Sequence, residues 1–167
     1  MRQAPYVEAI SRKYPEQIVL AVSADAEGRA DVITLGWAMP TSGSPPMWAI
    51  SVGHTRHSHR LIEEGGEFVL AFPSTELAGA CRLCGTKSGR DTDKIAAAGL
   101  RTVPAAAVRP PLLAGCLANF ECRVRGSLVT GDHTIFAGEV VAAHVDDEAC
   151  ARVYNFGGDF RGLAARD

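Results

Sequence analysis

The segment from Leu117 to Val145 does most to limit the folds open to this chain. Leu117 to Thr130 and Thr134 to Val145 are rich in β-branched and aromatic residues, and Gly131-Asp132 between them is a tight-turn pair. Two long strands joined so closely must be antiparallel neighbours. A sheet, not a helical bundle, therefore lies at the centre, and Gly126 marks a place for the first strand to bulge.

Further strands surround this pair. Gln17 to Ser23 is β-rich, Asp25-Ala26-Glu27-Gly28 is a turn, and Ala30 to Ala38 is the return strand of an antiparallel hairpin. Met47 to Val52 and Glu67 to Phe72 read as two more, the latter ended by Pro73. Met39 to Pro46 holds three prolines and a glycine and reads as a loop. Three short helices are expected: His57 to Gly65 with Ser58 as N-cap, Ser74 to Leu83 with Ser74 as cap, and Asp91 to Ala98 with Asp91 as cap. A Pro/Ala linker follows Gly99. Residues 1–13 read as an N-terminal arm and 146–167 as a Gly-rich tail, so that 1–167 forms one domain. The strands do not alternate with helices, which argues against a doubly wound parallel sheet. Six or seven antiparallel strands with inserted short helices imply a mainly β fold, a small closed barrel.

Composition narrows the function. The apolar fraction is 47%, and a chain of 167 residues buries roughly 70% of its unfolded surface, enough to fold without metals or disulfides. A net charge of −2 provides no basic face for nucleic acid, and 7% aromatic content provides no base-stacking platform. No run of about 18 apolar residues is present, so no membrane-spanning helix is expected. Met1 to Ile10 lacks a charged region followed by an apolar stretch, and the five cysteines form no disulfide framework, so a cytoplasmic location is expected.

Cys81-Arg82-Leu83-Cys84-Gly85-Thr86-Lys87-Ser88-Gly89-Arg90-Asp91-Thr92-Asp93-Lys94 packs two thiols, two glycines, hydroxyls and charges of both signs into one turn-forming stretch. Ordering it is costly unless something anionic and polar sits against it. The Cys81-x-x-Cys84 pair has no second pair at zinc spacing, and it closes a helix where a redox dithiol opens one. Ser88 and Gly89 are instead candidates for ligand contacts, with Lys94 as a nearby charge.

The stretch His54-Thr55-Arg56-His57-Ser58-His59-Arg60 is the second candidate. Its histidines do not share one face in an extended segment, and no carboxylate or thiol lies among them, which weakens a metal reading. A phosphate cradle fits better: Arg56 offers bidentate bonds, and Ser58 with the N–H groups of a helix start offers more. Thr34 and Gly36 share one strand face, Gly36 lets a ligand approach the backbone, and Trp37 edges a flat ring. His133, just past a tight turn, is a candidate proton donor. No nucleophile elbow is present for hydrolysis.

In order along the chain, these segments resemble the flavin reductase-like, FMN-binding split-barrel family, in particular its flavoredoxin-like branch. The similarity rests on Asp31 to Trp37, Pro45 to Val52, Arg56 to Ile62, Glu67 to Val69, Cys84-Gly85 with Ser88-Gly89-Arg90-Asp91-x-Asp93-Lys94, Glu121-Cys122 and Gly131 to Val140. The resemblance implies an antiparallel, Greek-key split barrel and a homodimer holding FMN non-covalently near the subunit interface. Thr34, Gly36, Trp37, Ala38 and Met39 would lie along the ring system, and Ser51 and Val52 would contribute backbone contacts. Arg56, His57 and Ser58 would hold the phosphate, and Cys84, Gly85, Ser88, Gly89 and Lys94 would complete the site. The implied activity is that of an oxidoreductase passing a hydride from NADH or NADPH to flavin, with His133 as proton donor or nicotinamide contact and Lys94 as a charge at the pyrimidine edge. The alternative is a flavoredoxin-like electron carrier with a redox protein partner.

Overall fold

The computed structural model describes residues 1–148 and 151–163. The strands are β1 (Glu16–Gln17), β2 (Val19–Ala24), β3 (Ala30–Leu35), β4 (Ala38–Gly43), β5 (Pro46–Gly53), β6 (Glu67–Pro73), β7 (Thr102–Val103), β8 (Leu112–Leu113), β9 (Cys116–Thr130), β10 (His133–Val145), β11 (Val153–Asn155) and β12 (Phe160–Gly162). The helices are α1 (Tyr6–Ile10), α2 (His57–Gly65), α3 (Ala78–Thr86) and α4 (Lys94–Ala97).

Seven strands form one antiparallel sheet in the order β3-β2-β6-β9-β10-β5-β4. Its first and last members, β3 and β4, are joined in the chain by Gly36 and Trp37 alone. The sheet must therefore curl until its margins come together, and the Ser51 N–H, on β5, donates to the Trp37 carbonyl at 2.9 Å. The expected long hairpin is β9–β10. Its register shifts between Ala137, opposite Gly126, and Gly138, opposite Val124, so the bulge falls at Arg125-Gly126.

Alternation along the central strands fills two cores. Val19 and Ala21 of β2 and Phe68, Leu70 and Phe72 of β6 pack inside the curl with Ile33, Ile50, Val52 and Phe136. Leu20 and Val22 of β2 and Val69 and Ala71 of β6 face the other way, against Cys81, Cys84, Leu100 and Leu113. Both faces of these strands are buried, which is why they read as unbroken apolar runs. From α2, Ile62 joins the inner core, and Gly66, at φ 67°, ends the helix. The linker after Gly99 is tied to the sheet by the fully buried Glu121, which accepts N–H bonds from Ala106, Ala107 and Val108 and faces His144 Nε2 at 2.7 Å. Burial raises the Glu121 carboxyl, but these donors outweigh it and hold the group below its usual range.

Several local expectations are corrected. Most of Ala38–Gly43 falls in the expected Met39–Pro46 loop, but it is an edge strand paired with β5, where Pro40 needs no ladder N–H. The tail carries β11 and β12, and β11 pairs with β1; residues 149, 150 and 164–167 of the tail lie outside the described residues. Helix α4 starts at Lys94, not Asp91, because Asp93 Oδ1 accepts the Ala96 N–H at 3.0 Å. Neither Ser58 nor Ser74 caps a helix with its side chain.

Candidate functional site

Two clefts meet at the sheet margin and share Ile33, Arg56 and Gly85. The first, of 170 Å³, is lined by Thr34, Gly36 and Trp37 of the β3–β4 link, Ser51 and Gly53 of β5, Glu16 of β1, and His133. The second, of 130 Å³, lies between the turn that carries Arg56, His57 and Ser58 and the segment from Cys84 through Gly89 to Lys94. The basic turn and the Ser-Gly segment thus come together, and Arg90 Nη1 ties them by donating to the Thr55 carbonyl at 3.0 Å.

Most of the expected site residues face these clefts. Val52 does not: its side chain lies in the inner core, with its backbone opposite Thr134. Ala38 and Met39 also line neither cleft, and Met39 projects outward from β4. The Ser51 N–H is already bonded to Trp37, leaving its other groups to face the cleft.

In the first cleft, His133 packs at a tilt of 39° against Trp37, with ring centroids 4.9 Å apart. His133 Nδ1 is 2.6 Å from Asp132 Oδ1, which orients the ring. Its Nε2 would lie 3.4 Å from a Cβ built on Gly53, so it points at the cleft wall. Thr34 Oγ1 donates to the Cys81 carbonyl at 2.6 Å, pinning β3 to α3.

Four cationic side chains, Arg56, Lys87, Arg90 and Lys94, line the second cleft, and no carboxylate does. Lys94 is not a free charge. Its Nζ lies 2.9 Å from Oδ1 of Asp31, and Ser58 Oγ donates to Oδ2 of the same carboxylate at 2.5 Å. Ser58 and Lys94 therefore share a buried acid that sequence reasoning left out of the site. Burial lowers the His57 pKa, against the pull of Asp31 and with help from Arg60, Arg90 and Lys94. Its Nδ1 is buried without a hydrogen-bond partner. Gly89 allows this packing: a Cβ there would fall on the Asp31 carboxylate and 2.8 Å from Cδ2 of His57.

The other two histidines of the basic stretch belong elsewhere. His54 Nε2 and His59 Nε2 both meet Thr134 Oγ1, at 3.1 and 2.9 Å. Burial pushes the Cys84 thiol up to about 11 and Cys81 to about 12, far from the range of a reactive thiolate. The lining residues missing from the expected set include Glu16, Gly53, Thr55, Lys87 and Arg90, with Asp31 behind them. Acids inside strands, as Glu16 in β1 and Asp31 in β3 are, carry no local signal of a site.

A family model described as the flavin reductase like domain matches residues 11–164. The chain belongs to the flavin reductase-like family, and its mainly β architecture is the split-barrel fold expected from the motifs. An uncharacterized protein of Archaeoglobus fulgidus is 38% identical over 135 residues, 81% of this chain and 75% of its own length. The FMN reductase (NADH) RutF of Stutzerimonas stutzeri is 30% identical over 124 residues, 72% of this chain and 67% of that protein. The structure of an FMN-binding protein from Thermus thermophilus superposes with a TM-score of 0.88 at 22% identity, covering 100% of this chain and 97% of that one.

Proposed function

We propose that the chain binds FMN non-covalently across the two clefts and acts as an NAD(P)H-dependent flavin oxidoreductase. The observation that carries this reading is the second cleft, lined by Arg56, Lys87 and Arg90 beside the Asp31-paired Lys94, with no lining carboxylate among the described residues and an unpartnered His57 Nδ1. Such a lining suits a dianionic phosphate ester. The adjoining cleft, edged by Trp37 and lined by Gly53 and Gly85, suits a flat ring attached to that ester. An FMN reductase (NADH) among the relatives supports a nicotinamide donor.

When bound, the flavin supplies hydride-accepting chemistry that no side chain has. The protein's own residues bind and orient. Arg56 stands at the junction of the clefts, where it would meet the ester and offset part of its charge. His57, its pKa lowered by burial, offers a neutral imidazole there. Trp37 and His133 form one wall of the ring cleft, and Asp132 fixes His133 so that Nε2 can hold or release a proton at the cleft. Lys94, paired to Asp31, braces the loop and does not serve as a charge for the ring. The exposed apolar side chains Met39, Leu128 and Val129 suit burial in a homodimer.

The test is the absorption spectrum of the purified protein with added FMN, followed by NADH and NADPH oxidation under steady-state conditions. Flavin bands perturbed on binding, with turnover of one nucleotide, are expected. Bound flavin that ignores both nucleotides yet is reduced by a ferredoxin-like donor would replace the reductase with an electron carrier. No flavin binding would overturn the reading.

A further inference from the structure

Glu16 is the one acidic residue lining the Trp37 cleft. A Cβ on Gly36 would lie 2.7 Å from Cδ and Oε2 of Glu16 and 2.8 Å from Oε1, so the carboxylate rests against the Gly36 backbone. It is held from two sides. Asn155 Nδ2 donates to Oε1 at 3.1 Å, and Lys13 Nζ pairs with Oε2. Pairing of β1 with β11 sets Glu16 opposite Asn155. The neighbouring Gln17 takes a bond from Arg152 Nη2 at 3.0 Å and donates to the Ala38 carbonyl. Glu16 and Gln17 therefore clip the tail across the link from Gly36 to Ala38. The Glu16 side chain is only 15% exposed, and each of its oxygens keeps an unused lone pair. A fixed negative charge thus stands at the cleft.

We propose that Glu16 is a specificity-determining residue: its carboxylate, positioned by Asn155, makes the cleft favour oxidised over reduced flavin. This rests on the flavin reading above. Reduced flavin, having taken up a hydride, carries a negative charge that the oxidised form lacks. A poorly hydrated carboxylate at the ring cleft repels that added charge. Lys13 acts with the opposite sign, from a more exposed position 5.6 Å from the Trp37 ring centroid. A site so biased releases its product in the reduced state. The flavin then behaves as a substrate handed on to an acceptor.

The experiment measures the dissociation constants of oxidised FMN, by fluorescence quenching, and of dithionite-reduced FMN, by anaerobic titration, for wild type, Glu16→Gln and Lys13→Met. Wild type should bind oxidised FMN more tightly. Glu16→Gln should tighten reduced relative to oxidised FMN by about tenfold, equal to about 30 mV for a two-electron couple. Lys13→Met should move the ratio the other way. Asn155→Ala should act in the same direction as Glu16→Gln and add nothing to the ratio when the two are combined. An unchanged ratio in Glu16→Gln, with oxidised FMN still bound, overturns the inference and leaves the flavin reading standing. An additive effect of Asn155→Ala overturns the positioning role. Failure of the wild-type protein to bind either form overturns both the inference and the reading.

Discussion

Lys94 Nζ lies 2.9 Å from Asp31 Oδ1, with the two side chains only 3% and 5% exposed. Removing one member leaves the other charged and buried, which costs about 3–5 kcal/mol. Lys94→Met should therefore lower the urea unfolding free energy by that amount. The double variant Asp31→Asn/Lys94→Met should recover part of the loss. Additive single and double effects would mean that the pair is not coupled.

Arg56 lines both clefts, and among the described residues Glu16 is the one acid that shares either cleft with it. Arg56→Ala should weaken FMN binding by about 1.5–3 kcal/mol, the range for a hydrogen bond to a charged group. The deficit should shrink as salt is raised, because part of it is screened charge attraction. Titration of FMN fluorescence at two ionic strengths checks both statements.

Gly89 has no room for a side chain between Asp31 and His57. Gly89→Ala should destabilise the protein by about 1–3 kcal/mol, as overpacking does, and should weaken FMN binding as the loop shifts. A thermal melt and a flavin titration on the same sample separate the two effects. An unchanged melt would mean that the loop yields freely.

Burial lowers the pKa of both His57 and His59 from the ordinary 6.5. In the unfolded chain these imidazoles take up protons at a higher pH than in the fold. Stability is therefore fully present above about pH 6.5 and is lost as the pH falls through the lowered folded values. The unfolding free energy should drop between pH 7 and pH 5, before the carboxylates titrate. Replacing both residues with asparagine should flatten that slope in a denaturant series.

Burial pushes the thiols of Cys81, Cys116 and Cys122 up to about 12 and that of Cys84 up to about 11. These four should resist a thiol reagent at pH 8 in the native protein and react once urea unfolds it. Cys81→Ser and Cys84→Ser should keep flavin binding. Rapid native labelling of Cys84 would contradict its packing.

Local chemistry was legible where it alone decides conformation. Gly131-Asp132 forces the β9–β10 turn, and Gly126 marks the bulge. The basic turn and the Ser-Gly segment could be named because their residue types serve only a few purposes together. What escaped depends on distant partners. Ala38–Gly43 has a loop's composition and becomes a strand because β5 lies alongside. Ser58 reads as a cap, but its hydroxyl finds a better acceptor in Asp31. Glu16 gains its place from Asn155, which no window along the chain can reveal.

The two-residue link of Gly36 and Trp37 has a consequence for how such a chain can diversify. Those peptide units are at once the seam between the two edge strands of the curled sheet and a wall of the Trp37 cleft. Insertions there would part the seam before they enlarged the cavity. Chains of this plan are freer to change what they admit through the arm and the tail, whose lengths the barrel does not dictate.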